Sequence, residues 1–90
     1  MIEIDNQQQL DRELAQSKKV LVLFYASWCP FCQGFVSVFD GKTVNLASKV
    51  IHALLDDYDN PIWDEYEIGA VPTVILFEEG KVARRLDGGY

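Results

Sequence analysis

The run Val20-Leu21-Val22-Leu23-Phe24-Tyr25, followed at once by Ala26-Ser27-Trp28-Cys29-Pro30-Phe31-Cys32, constrains this chain more than any other stretch. A short apolar run without polar alternation reads as a strand buried on both faces, hence a central strand of an α/β sheet with helices on either side. The residues after Cys32, with Phe35, Val36, Val38 and Phe39 as apolar positions, read as a helix. The two thiols therefore fall at a strand-to-helix junction, on the first turn of the helix. Backbone N–H groups without intrahelical partners gather there, and the helix dipole favours negative charge. That setting favours a thiolate and makes Cys29 the candidate attacking sulfur.

Length and charge narrow the remaining classes. Ninety residues form one domain, 1–90, and an apolar fraction of 49% fills one core. A formal charge of −6 argues against nucleic acid and against an anionic membrane surface, both of which recruit basic patches. No apolar run approaches the roughly 20 residues that span a bilayer, and Met1-Ile2-Glu3-Ile4-Asp5 does not read as a secretory signal. Only two cysteines rule out a disulfide-stapled scaffold, and in a chain without a signal their spacing favours redox or metal chemistry. The expectation is a small cytoplasmic domain.

Taken in order, 1–4 is a short edge strand. Asp5, three before Gln8, supplies a capping signal for a helix over 6–16 whose inner face carries Leu10 and Leu14, closed by Ser17-Lys18-Lys19. The helix after the cysteines is expected to kink or break at Asp40-Gly41 and to resume over 43–48. A strand follows over 50–55, then a solvated loop with Asp56, Asp57 and Asp59. Asn60-Pro61 starts a short third helix with Ile62 and Tyr66 facing inward. Gly69-Ala70-Val71-Pro72 breaks the chain before a strand over 73–77. A turn at Glu78-Glu79-Gly80-Lys81 places glycine where φ is positive and returns the chain as a strand over 82–86. The order is βαβαβαββ, a mixed sheet with a parallel part and one antiparallel hairpin.

With these elements in place the chain resembles the thioredoxin family over nearly its whole length. The resemblance rests on Phe24-Tyr25-Ala26-Ser27-Trp28-Cys29-Pro30-Phe31-Cys32, on Tyr66-Glu67-Ile68-Gly69-Ala70-Val71-Pro72-Thr73, and on Phe77-Glu78-Glu79-Gly80-Lys81-Val82 with Gly88. It implies a thioredoxin fold and thiol–disulfide exchange with protein disulfide substrates. It further implies that Cys29 is the exposed nucleophile, Cys32 the resolving thiol and Pro72 a cis proline beside them. Trp28, Pro30, Phe31, Val71 and Pro72 form the expected substrate surface, and a substrate strand pairs with Val71. Catalysis then needs no bound cofactor beyond a redox-active Cys29–Cys32 disulfide, recycled by a disulfide reductase or by glutathione.

Several residues depart from the family pattern. Leu23 stands where the family buries an aspartate that assists resolution, and the lysine that accompanies that aspartate falls at or near Leu54, so both positions read as apolar. Slower resolution of mixed disulfides is expected. Pro30-Phe31 lies closer to the Pro-Tyr of glutaredoxins than to the Gly-Pro of thioredoxins, which points to a more oxidising couple and keeps a glutathione-dependent activity open. The family's last helix, which follows the position of Gly88, is absent. Either the chain is a shortened or minimal variant, or the sheet face left bare is covered by a partner or by self-association.

Two further readings stand beside the redox one. A zinc site needs four ligands and the chain offers only His52 beside the two sulfurs, so the metal alternative is iron–sulfur binding by a dimer, as in some glutaredoxin relatives. A non-catalytic binding module whose cysteines act as a redox-sensitive contact is the other. His52 reads as an ordinary strand residue, and Ile62 and Trp63 as core or its rim, whereas Phe31 is expected at the surface.

Overall fold

The computed structural model describes residues 2–42 and 49–87. The expected helical resumption over 43–48, the position of Gly88 and the side chain of Val38 lie outside the described residues. The elements are β1 (Ile2–Ile4), α1 (Gln7–Gln16), β2 (Lys19–Tyr25), α2 (Pro30–Lys42), β3 (Lys49–Leu54), α3 (Ile62–Glu65), β4 (Thr73–Glu78) and β5 (Lys81–Leu86), in the order read from the sequence. The strands lie as β1-β3-β2-β4-β5. β1, β3 and β2 run parallel, while β4 is antiparallel to both β2 and β5.

β2 occupies the middle because it is apolar in both directions. Val20, Val22 and Phe24 join Leu10 and Leu14 of α1, Ile62 of α3, and Ile51, Ile75 and Phe77 of the neighbouring strands in one buried cluster. Leu21 and Leu23 point the other way, into a second cluster with Phe39 of α2, flanked by Phe35, Val36, Val74 and Leu76. Each fully buried side chain of this size stabilises the fold by about 1.5–3 kcal/mol. Two layers of core on one strand fix its depth, and with it the position of the loop that follows Tyr25.

Some local expectations shift in detail. The cap of α1 is Asn6, not Asp5: its side chain accepts the Gln9 N–H at 2.8 Å, while Gln9 Oε1 accepts the Asp5 N–H at 3.2 Å. The reciprocal pair is a capping arrangement displaced by one residue. No break occurs at Asp40-Gly41, since α2 continues through them to Lys42 over 13 residues. One helical glycine weakens a helix by about 1 kcal/mol, too little to break one anchored by Phe39 in the core. Asn60 Oδ1 accepts the Ile62 N–H at 3.1 Å, as its place before Pro61 implies. In the β4–β5 turn Gly80 has φ +80°, and Glu79, at +54°, shares the left-handed region.

On the α2 side, the sheet toward β5 leaves a recess lined by Leu21, Val74, Leu76 and Leu86. No helix among the described residues is long and apolar enough to cross a membrane.

Candidate active site

β2 delivers its C-terminal end to a turn that becomes α2. The Cys29 N–H donates to the Ala26 carbonyl at 3.3 Å and the Cys32 N–H to the Cys29 carbonyl at 3.1 Å, closing the turn and the first helical loop. Cys29 thus stands where a capping residue stands, immediately before Pro30. Its Sγ accepts the Cys32 N–H at 3.2 Å, the bond that a serine or aspartate oxygen makes at a helix start. An anionic sulfur accepts such a bond more strongly than a neutral one.

The two thiols are unbridged. Cys29 is 8% exposed and Cys32 fully buried, clustered with Ala26 against Tyr25 and Val71. The expected open exposure of Cys29 is therefore corrected: Val71 and the turn cover all but a small opening, although Cys29 remains the accessible member of the pair. Burial pushes the Cys32 thiol up to about 11, and the neighbouring Cys29 sulfur reinforces the shift. Cys32 accordingly holds its proton at neutral pH.

Val71 and Pro72 approach from the other side, and the peptide bond between them is cis, as expected. The Val71 carbonyl lies 3.9 Å from Cys29 Sγ. Pro72 is buried, and Thr73 Oγ1 donates to the Ala70 carbonyl at 2.6 Å, holding the turn that leads into β4. Trp28 is half-exposed, Phe31 is 60% exposed and Pro30 is exposed, so the first turn of α2 offers an apolar rim around the opening. All seven residues expected at the site come together at this end of the sheet.

Three features were not legible in the sequence. Asp56, read as a solvated loop residue, is indeed exposed, yet its carboxylate accepts both the N–H and the Oγ–H of Ser27, each at 2.6 Å. These two bonds hold its carboxyl below the usual carboxylate range. Its carbonyl also accepts the Trp28 indole N–H at 3.2 Å. Tyr58 stacks on Trp63 and tilts against Trp28, with ring centroids at 5.7 and 5.4 Å, extending the aromatic rim. Arg85 of β5 reaches the segment that precedes Val71.

The cross-strand partner of Leu23 is His52, whereas Leu54 sits opposite Tyr25. The residue directly across from Leu23 is thus an imidazole, packed edge-on to Tyr25 at 5.7 Å and against Phe39 at 6.0 Å. Among the described residues no group of three or more His, Cys, Asp or Glu side chains is placed to hold a metal ion.

A mixed sheet of this order, with a vicinal thiol pair capping the helix after its central strand, defines an α/β protein built for dithiol chemistry. The whole chain, residues 1–90, matches the family model described as Thioredoxin. It is 38% identical over 88 residues to a thioredoxin of Mycoplasmoides gallisepticum, covering 98% of this chain and 88% of that one. It is also 38% identical over 80 residues to chloroplastic thioredoxin Y of Oryza sativa subsp. japonica, covering 87% of this chain and 48% of that one. Among solved structures, a mutant thioredoxin from Halobacterium salinarum matches with a TM-score of 0.79 at 26% identity, over 97% of this chain and 76% of that one. The chain belongs to the thioredoxin family. It is a thiol–disulfide oxidoreductase acting through its cysteine pair.

Proposed function

We propose that Cys29 attacks a disulfide in an extended segment of a protein substrate, and that Cys32 resolves the product. The Cys29 thiolate displaces one substrate sulfur, forming a mixed disulfide and releasing a substrate thiolate. Cys32 then loses its proton and attacks Cys29 Sγ, so the second substrate thiolate leaves and the Cys29–Cys32 disulfide forms. Two electrons pass to the substrate; one released thiolate takes up the proton lost by Cys32 and the other takes one from solvent. A disulfide reductase returns the pair to dithiols. Trp28, Pro30, Phe31, Val71 and Pro72 contact the substrate, with the Val71 backbone pairing in strand fashion, and no bound cofactor takes part. The setting is the cytoplasm. The single observation that carries this reading is the Cys32 N–H held 3.2 Å from Cys29 Sγ, with Cys32 itself buried and protonated.

Insulin reduction coupled to a thioredoxin reductase, run beside a glutathione-coupled assay, tests the donor. Turnover with the reductase supports the proposal; turnover with glutathione alone moves the chain to the glutaredoxin-type reading that Pro30-Phe31 favours. Silence in both assays leaves a binding module. Cys32→Ser is expected to accumulate a substrate disulfide on Cys29, and Cys29→Ser to accumulate none.

Self-association belongs to the recess lined by Leu21, Val74, Leu76 and Leu86. Sedimentation of the chain with and without Leu86→Lys tests it, and an unchanged monomer in both sinks it.

A further inference from the structure

Arg85 lies on the edge strand β5, opposite Ile75 of β4, yet its guanidinium turns back toward the end of α3. Nη1 donates to the Tyr66 carbonyl at 2.8 Å and Nη2 to the Glu67 carbonyl at 3.2 Å. Nε and Nη2 both donate to Asp87 Oδ1, at 3.0 and 2.6 Å, which aims the planar group. The Arg85 side chain is 27% exposed, so these bonds are only partly open to water. Charge-assisted bonds of this kind are stronger than neutral ones and directional.

The two carbonyls begin the segment that ends at Val71. α3 has only four residues and cannot satisfy the carbonyls that follow it. Glu67 has φ +51°, a left-handed conformation that a non-glycine residue keeps only when its surroundings hold it. Beyond it, Ile68 is buried and its N–H reaches the Trp63 carbonyl at 2.8 Å. Gly69 and Ala70 are exposed, and nothing lies within 4 Å of a Cβ added at Gly69. The backbone that brings Val71 over Cys29 is thus held before the gap by Arg85 and Ile68, and behind it by the Thr73 hydroxyl. Arg85 is the only one of these fixtures contributed by a strand beyond the segment itself.

The geometry points to Arg85, aimed by Asp87, as a positioning residue for protein substrates: it fixes the segment 66–71 so that the Val71 backbone can pair with an incoming strand. This rests on the pairing of substrate with Val71 proposed above. Arg85 touches neither thiol in its hydrogen bonds, so the chemistry at Cys29 does not depend on it. Its loss weakens binding of extended peptides and spares a small disulfide that has no backbone to pair.

The experiment compares three substrates: a peptide disulfide, the same peptide N-methylated at the residues flanking its cysteine, and a nitroaryl disulfide. Arg85→Met, which keeps the stem and removes the donors, is expected to raise KM for the unmethylated peptide roughly fivefold to tenfold, about one net hydrogen bond's worth. Its kcat and the nitroaryl rate are expected to stay within about twofold, and Arg85→Lys, with one ammonium for two carbonyls, to recover part of the KM. Asp87→Asn, a second variant that leaves the arginine in place, is expected to fall between wild type and Arg85→Met. If the wild type discriminates against the N-methylated peptide and both variants keep wild-type KM, the role of Arg85 is overturned while the pairing stands. Equal loss on the peptide and the nitroaryl disulfide overturns it too, since damage is then general. A wild type indifferent to N-methylation overturns the pairing and the role of Arg85 together.

Discussion

At the scale of single residues, chemistry at the site is decided by which polar groups have partners. Asp56 is a case where charge state and geometry are tied together. Its carboxyl lies below the ordinary value of 3.8 because the Ser27 hydroxyl and N–H bind the ionised form. A depressed folded value contributes stability that is complete above the unfolded value and is lost as pH falls through the folded one. The tether on the Ser27–Trp28 turn is therefore expected to release in acid, below pH 3.8. Trp28 fluorescence followed from pH 6 to pH 2 reports it, and Asp56→Asn is expected to lose that acid step; an unchanged step in the variant assigns it to another group. Leu23, fully buried beside Leu21 and Phe39, brings no proton-carrying group near Cys32. Leu23→Asp is expected to shorten the lifetime of the mixed disulfide, at a stability cost of about 1–3 kcal/mol for the buried carboxyl. Rapid-quench trapping gives that lifetime directly, and an unchanged value across pH counts against slow resolution as a property of this chain.

At the scale of elements, the caps and the inward faces carry most of what can be tested by truncation. Asn6→Ala removes the bond to the Gln9 N–H and is expected to cost about 1 kcal/mol in denaturant unfolding. Leu10→Ala, at a fully buried position of α1, is expected to cost about 2–5 kcal/mol by the same measurement. A result near zero for Leu10→Ala would mean that α1 does not pack as described. The elements were largely legible in the sequence because their signals are local. Val20–Tyr25 is apolar at every position, Asn60-Pro61 announces a helix start, and Gly80 marks a hairpin. Less legible was whatever depends on contact between distant segments. Asp56 meets Ser27 across 29 positions and Arg85 meets Tyr66 across 19, and neither has a pattern around it that a local reading would single out. That His52 lies directly across from Leu23 belongs to the same group, since register is a relation between strands and not a property of one. The α1 cap was missed by a single residue because Asp5 and Asn6 are both good capping residues and only the backbone decides between them.

At the scale of the whole molecule, ionisation links the site to the fold. Burial raises the Tyr66 phenol, and burial together with the hydrogen bond to Glu3 raises that of Tyr25. A raised folded value contributes stability that is complete below the unfolded value, 10.0 for tyrosine, and is lost as pH rises through the folded values. The melting temperature is accordingly expected to decline above pH 10, less steeply in Tyr66→Phe than in the unsubstituted protein. The couple itself is expected to lie above the roughly −270 mV of thioredoxin, because Pro30-Phe31 replaces the usual dipeptide. Equilibration with glutathione buffers measures this, and a value at or below that figure contradicts it. The chemistry of the whole molecule depends on the division of labour between two sulfurs three residues apart. Reduced protein treated with one equivalent of iodoacetamide at pH 7 and mapped by peptide mass spectrometry tests that division most directly. The label is predicted on Cys29 alone, with Cys32 untouched until the pH approaches its own value of about 11. Label on Cys32, or shared equally between the two, would contradict it.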